Sequence, residues 1–486
     1  MFTEIDKNSS IPIYRQIEAD IRKKILNSEL PAGFRLPSER KLAERLGVHR
    51  NTVVKAYKLL VDQSLVSCTL EQRRGYFVVF GLDEALIRKQ KKNKAFIRYN
   101  HTEGTAERIF DDIYAASFQK RYISFGGHVI SDQLIPLETI KRIMNRIVDQ
   151  YGADAFSYCP SRGNPLLRKA LASFLESNGT NVKGTEIVIV NETMQGLSFI
   201  ANSITEEGDF VVSETPIMPD TYGIFQRCGL KILLVERDDD GVNLEQLENL
   251  FKKFKPRFFH VMPDYHSITG SRMSLEKRNK LIELARHYDV PILEESWYNG
   301  MDFYDSGLPS LFSLDKYKNV VMVDSAFSKF YYGAKTSYIL APEVMAVEIG
   351  KHINASQTHL QNLEQLMFAE YLHEGHSEQY RKEITDYYRK KYEHTEHAMR
   401  MLRDLNVQWN PLKGGLSIWC RLPGGINDMH LYESLRKQDV LICPGKLFFP
   451  TGESPKSYMR LSFSNVADED IEKGIARIAS EIKRNS

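Results

Sequence analysis

From about residue 121 onward, short runs of apolar residues alternate with longer stretches of helical period, and this alternation restricts the fold more than any other feature. Glu186-Ile187-Val188-Ile189-Val190, Phe210-Val211-Val212 and Asn319-Val320-Val321-Met322-Val323 show no polar face, as expected of strands covered on both sides. Stretches such as Leu275 to Tyr288 repeat apolar residues at helical spacing between such runs. The pattern predicts a mostly parallel sheet with helices on both faces. The N-terminal part reads differently. Residues 10–80 alternate short helical patterns with turn signals, and residues 81–120 lack a period and carry Arg88-Lys89-Gln90-Lys91-Lys92-Asn93-Lys94. The expected organisation is therefore a small domain over 10–80, a solvated basic linker over 81–120 and a large body over 121–486.

Charge follows the same division. The whole chain of 486 residues carries only +2, but its first hundred residues carry +9 and the other 386 carry −7. A basic head suggests an anionic partner, with nucleic acid the leading candidate. No apolar run approaches the roughly 18 residues that span a bilayer, and the N-terminus has no apolar leader, so no membrane and a cytoplasmic location are expected. Cys68, Cys159, Cys228, Cys420 and Cys443 are scattered, which suggests neither a zinc ribbon nor a disulfide framework. His373-Glu374-Gly375-His376 reads as a solvated turn, His128 as a loop histidine, and Tyr387, Tyr388 and Tyr392 as a helix packing face.

In the head, Ile13, Ile17, Ile21 and Ile25 mark one face of a helix. Ser38 can cap a second helix and Gly47 can end it in the left-handed conformation. Val48-His49 then turns into a third helix from about Arg50 to Leu60, with Val53, Ala56, Tyr57 and Leu60 inward. This is a helix-turn-helix, whose second member offers Arg50, Asn51, Thr52 and Lys55 to the major groove. Arg and Asn suit guanine and adenine edges; Lys and Thr suit phosphates. Leu65–Leu70 and Gly75–Phe80 read as two strands joined by Glu71-Gln72-Arg73-Arg74-Gly75, a wing with a basic tip.

The string Leu36-Pro37-Ser38-Glu39-Arg40, Leu42-Ala43, Leu46-Gly47-Val48-x-Arg50-x-Thr52-Val53 resembles the winged-helix domain of the GntR regulators. The resemblance carries DNA contact over to Arg40, Arg50, Thr52 and the wing from Arg73 through Arg74 to Gly75. His49 stands where that family usually has a capping Ser or Thr, a change expected to weaken the cap by about 1 kcal/mol.

In the body, Lys329 follows a buried strand in Asp324-Ser325-Ala326-Phe327-Ser328-Lys329. A desolvated lysine there can condense with an aldehyde cofactor. Its context includes Tyr158-x-x-x-x-Gly163-x-x-x-Leu167-Arg168, Thr269-Gly270, Glu294-Glu295-x-x-Tyr298 and Met459-Arg460-Leu461-Ser462. This order resembles the fold-type-I aminotransferases over residues 121–486, and with its head the whole chain resembles the MocR subfamily of GntR regulators. The implied fold is an N-terminal winged helix-turn-helix, mostly α with a β-wing, joined to an α/β fold-type-I aminotransferase-like domain. The resemblance implies pyridoxal phosphate as cofactor or a small amine or amino-acid-like effector, a homodimer, and double-stranded operator DNA as partner. It assigns Lys329 to the cofactor aldehyde, Tyr298 to the ring hydroxyl, Tyr158 to the phosphate in the partner subunit, and Arg460 to a substrate-type carboxylate.

Several positions depart from that family. Glu295 replaces the Asp that faces the ring nitrogen; Ser267 stands for an Asn; Lys335 replaces a phosphate-binding Arg; Met218 replaces a stacking aromatic. The phosphate cup reads Asn191-Glu192-Thr193, where Glu192 competes with a phosphate for helix N–H groups unless it points away. No efficient turnover is therefore expected. Two alternatives stay open: a cofactor-free ligand-sensing regulator, and an aminotransferase with an accessory DNA-binding domain.

Overall fold

The computed structural model describes residues 9, 11–26, 30, 34–62, 65–70, 73–78, 105–119, 121–127, 130–298, 300–304, 307–325, 333–356, 360–450 and 456–485. The chain divides into two compact units, Met1–Thr102 and Glu103–Ser486. No helix among the described residues is long and apolar enough to cross a membrane.

The head contains α1 (Ile13–Leu26), α2 (Glu39–Leu46), α3 (Arg50–Asp62), β1 (Val66–Leu70) and β2 (Arg73–Val78). Its core is the set the periodicity selects: Ile17, Ile21 and Ile25 from α1 pack with Leu42, Val53, Ala56, Tyr57 and Leu60. Ser38 Oγ accepts from the Lys41 N–H and caps α2, and Gly47 closes it at φ 62°, a conformation that a Cβ disfavours. The wing differs from expectation. β2 begins at Arg73, which pairs with Leu70, so Arg73, Arg74 and Gly75 lie in a strand and not in the connecting loop. Ladder hydrogen bonds extend further toward the turn than turn-residue composition suggests.

The body opens with a helix, Thr105–Ser117, inside the stretch expected to be linker. Phe110, Ile113 and Ala116 bury it in the body core, but their period spans too few turns to stand out beside the basic run. After the short β3 (Ile123–Ser124), an eight-stranded sheet is built from β4 (Ile187–Val190), β5 (Phe210–Thr215), β6 (Lys231–Asp238), β7 (Gly241–Val242), β8 (Phe259–Val261), β9 (Ile292–Ser296), β10 (Val320–Asp324) and β11 (Ser337–Leu340). The order is β4-β11-β10-β9-β8-β5-β6-β7. β10, β9, β8, β5 and β6 run parallel, whereas β11 is antiparallel to both its neighbours and β7 to β6.

Alternate strand residues feed two cores. Val188, Val190, Val323 and Ile339 meet Leu197 and Ile200 of the helix Thr193–Ile204. Ile187, Ile189, Met322 and Tyr338 meet Leu167, Leu171 and Leu366 on the opposite face. Each such fully buried aliphatic side chain contributes about 1.5–3 kcal/mol. Gly196 lets the Thr193–Ile204 helix lie close to the sheet, since a Cβ there would come within 2.8 Å of Val323 Cγ2.

A C-terminal layer follows the long helix His376–Arg403. β12 (Ser417–Arg421) and the later β14 (Cys443–Pro444) flank β15 (Tyr458–Ser462) in antiparallel order, while β13 (Val440–Leu441) pairs in parallel with β3. This layer brings Arg460 on β15 to the N-terminal segment around Gly126.

Candidate functional sites

On the head, Arg40, Arg50, Asn51 and Lys55 are exposed and Thr52 is half-buried. Arg50 Nη2 lies 3.3 Å from Glu39 Oε2, and the Lys55 ammonium sits 4.0 Å from the centre of the Tyr14 ring. Both cations lie in the amino half of α3. His49 does not leave the helix uncapped: its Nδ1 accepts from the Asn51 N–H at 3.3 Å, and its carbonyl accepts from the Thr52 N–H. An imidazole nitrogen thus fills the place of the expected hydroxyl.

In the body, the strands deliver the candidate residues at their carboxyl ends, where open α/β sheets form their crevice. Glu295 lies on β9 and is buried; its Oε2 is 3.0 Å from His260 Nε2 on β8, and His260 Nδ1 is 2.9 Å from Ser213 Oγ on β5. Three adjacent parallel strands therefore fix the orientation of this longer carboxylate. The sequence reading missed His260 and Ser213, although a histidine inside the apolar run Phe258-Phe259-His260-Val261-Met262 was the available signal. The neighbouring Glu294 faces elsewhere and accepts from the Leu311 and Phe312 N–H groups. Burial pushes its carboxyl up to about 7.

Tyr298 follows β9 and is buried, with its ring edge-on to Trp297. Ser267 is buried in the turn after β8, its hydroxyl 3.5 Å from Met262 Sδ. Beside it, burial and the Arg237 charge hold the His266 imidazole well below the usual histidine range. Lys329 and His128 lie outside the described residues. Tyr158 is 75% exposed, and its backbone bridges Gln361.

The phosphate-cup segment resolves one sequence-level conflict. Glu192 is the N-cap residue of the Thr193–Ile204 helix, yet its side chain makes no capping bond. Its carboxylate is paired with the Lys335 ammonium, both side chains being about half exposed. Two departures from the family pattern therefore neutralise each other, and Lys335 acquires a partner other than a phosphate. Among the described residues Thr193 Oγ1 is buried without a hydrogen-bond partner, at a helix start whose first-turn N–H groups have no intrahelical acceptors. An unpaired hydroxyl beside such donors suits an anionic oxygen.

Arg460 is fully buried. Among the described residues its contacts are neutral: Nη2 donates to the Gly126 carbonyl at 3.0 Å and lies 3.4 Å from Cys443 Sγ, and Nη1 lies 3.9 Å from Met218 Sδ. The guanidinium stands over the rings of Phe110 and Phe448, and among the described residues Nε has no hydrogen-bond partner. Burying a cation this way is costly unless an anion completes the site. The His373–His376 segment has a structural role: Arg142 and Arg146 bind Glu374 and hold its carboxyl down to about 2.

Comparison with known proteins agrees with this geometry. Residues 13–78 match the bacterial regulatory proteins of the gntR family, and residues 131–478 match aminotransferase class I and II. The chain is 27% identical to the uncharacterized HTH-type transcriptional regulator YisV of Bacillus subtilis, over 98% of this chain and 97% of that protein. It is 23% identical to the probable rhizopine catabolism regulatory protein MocR of Rhizobium meliloti, over 98% and 95% respectively. Among solved structures, the α-aminoadipate aminotransferase LysN of Thermus thermophilus, complexed with N-(5'-phosphopyridoxyl)-L-leucine, superposes with a TM-score of 0.70 at 27% identity, covering 75% of this chain and 93% of that one. A winged helical head and a large parallel-sheet body are thus found in one chain: its body belongs to aminotransferase class I and II, its head matches the gntR family of bacterial regulatory proteins, and its similarity to whole-length regulators is consistent with the MocR subfamily.

Proposed function

We propose that this protein is an operator-binding regulator whose body senses pyridoxal phosphate together with an amino-acid-like carboxylate, without efficient turnover. The observation that carries the ligand half of this reading is Arg460, a fully buried cation with neutral contacts and an unpaired Nε among the described residues. A planar guanidinium is well matched to a carboxylate. The residues present also suit the cofactor. Thr193 and the first-turn N–H groups would take its phosphate, Glu295 held by His260 would face its ring nitrogen, Tyr298 would donate to its ring hydroxyl, and Lys329 would meet its aldehyde. When bound, the cofactor supplies an electrophilic carbon that captures primary amines.

The chain's own residues then orient and exclude. Burial of Tyr298 and Glu295 keeps water from the ring-facing groups. The carboxylate of an incoming amino acid neutralises Arg460. Binding shifts the regulator only if two arrangements of the protein differ in affinity for the ligand. A homodimer fits the exposure of Phe156 and Tyr158, because Tyr158 has to reach a partner's site, and two heads fit paired half-sites.

Two measurements test the reading. Protein mixed with pyridoxal phosphate should develop an absorption band that Lys329→Ala removes; absence of the band from wild-type protein favours the cofactor-free alternative. Arg50→Ala should weaken specific operator binding by about 1–3 kcal/mol, and an unchanged affinity rejects α3 as the reading helix. Product formation from an amino donor and a keto acid, abolished by Lys329→Ala, would favour the enzyme reading.

A further inference from the structure

Glu39 is the first residue of α2, and its carboxylate is where three parts of the head meet. Arg50, the first residue of α3, donates from Nη2 to Glu39 Oε2 at 3.3 Å. The Tyr76 hydroxyl on β2 donates to the same carboxylate, and burial together with the Glu39 charge raises that hydroxyl above the usual tyrosine range. Beside them the Tyr57 ring of α3 meets the Tyr76 ring edge-on at 4.7 Å, and the Tyr57 hydroxyl donates to the Pro37 carbonyl at 2.8 Å. The segment leading into α2 is itself bonded to the wing. The Leu36 N–H donates to the Tyr76 carbonyl at 2.8 Å, and the Val78 N–H to the Phe34 carbonyl at 3.0 Å.

Stability does not account for this carboxylate. The Arg50 and Glu39 side chains are 51% and 22% exposed, and an ion pair this open adds little to folding. A negative charge beside α3 also repels phosphates, so for affinity alone it is a liability. Its use lies in direction. An unrestrained arginine at a helix start can pair with any phosphate, a contact without sequence information. An arginine held by a carboxylate loses part of that freedom and part of its net charge. Its fork of five N–H donors still has enough left for the O6 and N7 of a guanine.

We infer that Glu39 is a positioning residue for sequence reading: it holds the Arg50 fork for a base edge, ties it to the wing through Tyr76, and lowers the attraction of Arg50 for phosphates. The inference rests on the reading of α3 as the recognition helix given above. Glu39 trades non-specific affinity for discrimination, and removing it should therefore move the two in opposite directions.

The test uses the full chain and two DNA duplexes of equal length, one enriched by wild-type protein from a random library and one a shuffle of it. The readout is the ratio of the two Kd values, each measured over a range of salt. Glu39→Gln should lower the ratio by about threefold or more, chiefly by tightening binding to the shuffled duplex, and should steepen the salt slope there by up to about 0.9, the worth of one phosphate contact. Tyr76→Phe keeps the ring and the charge but unties the carboxylate from the wing, and should lower the ratio by about 2- to 5-fold. Arg50→Ala should lower it by roughly 5- to 150-fold, the worth of one base contact. With Arg50→Ala already present, Glu39→Gln should leave the ratio within about twofold, because the carboxylate then has nothing to position. Far-UV circular dichroism and urea midpoints identify any variant that fails to fold. Glu39→Asp, which keeps the charge at the helix start but withdraws it by one methylene, is the second variant and should lower the ratio too. An unchanged ratio in folded Glu39→Gln and Glu39→Asp, an equal loss of affinity for both duplexes, or the same drop with and without Arg50, overturns the positioning role and leaves α3 as the reading helix. A wild-type ratio in Arg50→Ala, or no sequence enriched by wild-type protein, overturns the recognition-helix reading and this inference with it.

Discussion

Replacing Arg460 with methionine separates ligand binding from folding, and the structure sets the size of both effects. The side chain is fully buried. The substitution removes a charge-assisted bond to Gly126, about 1.5–3 kcal/mol, and contacts over two rings, about 0.5–2 kcal/mol each. It also removes an N–H at Nε that lacks a partner among the described residues, which costs the wild-type protein about 1–3 kcal/mol, and relieves the desolvation of a cation, several kcal/mol more. These nearly cancel, so urea unfolding of ligand-free Arg460→Met should differ from wild type by no more than about 1.5 kcal/mol. A carboxylate ligand at about one hundred times its Kd should stabilise wild type by about 2.7 kcal/mol and leave the variant unmoved. The assay is paired urea titrations with pyridoxal phosphate alone and with a panel of small dicarboxylates added. A loss of about 3–5 kcal/mol without ligand, the signature of a broken buried ion pair, would refute the reasoning. So would undiminished ligand stabilisation in the variant.

Three further outcomes are expected. Glu294 keeps its proton in the folded chain up to about 7, against 4.5 ordinarily; its contribution is full below 4.5 and is lost as pH rises toward 7, up to about 3 kcal/mol. Glu294→Gln should flatten that slope in urea midpoints taken at pH 4.5, 6 and 7.5, and an unchanged slope would assign it to another group. His49→Ala should cost the start of α3 about 0.5–2 kcal/mol, with His49→Ser restoring it; hydrogen exchange of the first α3 amides in the full chain reads this directly. Glu192→Gln should alter stability by less than about 1 kcal/mol, because its ion pair is half exposed. It should tighten pyridoxal phosphate binding by roughly 2- to 5-fold by removing a negative charge from a helix start; a spectral titration showing weaker binding would mean the carboxylate holds Lys335 in a useful place.

Much of this fold was legible because burial leaves a period. The isoleucines of α1 and the doubly buried β4 and β10 follow directly from spacing, and the Ser38 and Gly47 caps from local backbone chemistry. The helix Thr105–Ser117 escaped because three buried residues beside a basic run make a weak period. The start of β2 escaped because a hairpin register is set by pairing and not by the residues near its turn. In the site, residue types were legible but their partners were not. His260 with Glu295 and Glu192 with Lys335 are each separated by dozens of residues, and sequence spacing says nothing about which strand ends become neighbours. Read singly, Glu192 and Lys335 looked like damage; together they form a matched pair. His49 gives the same lesson at short range, because a ring nitrogen can do the work of a hydroxyl only if the backbone turns it toward the helix.

The Glu192–Lys335 pair carries a consequence for life without ligand. An enzyme whose anion cradle is bare concentrates positive potential there and depends on its cofactor to quench it. Here an internal counterion pair stands at the rim of that cradle, so the empty protein meets little electrostatic penalty and need not be rescued by loading. In the role proposed above, vacancy becomes a legitimate resting condition, and the fraction of molecules filled can track supply like a gauge instead of saturating at synthesis.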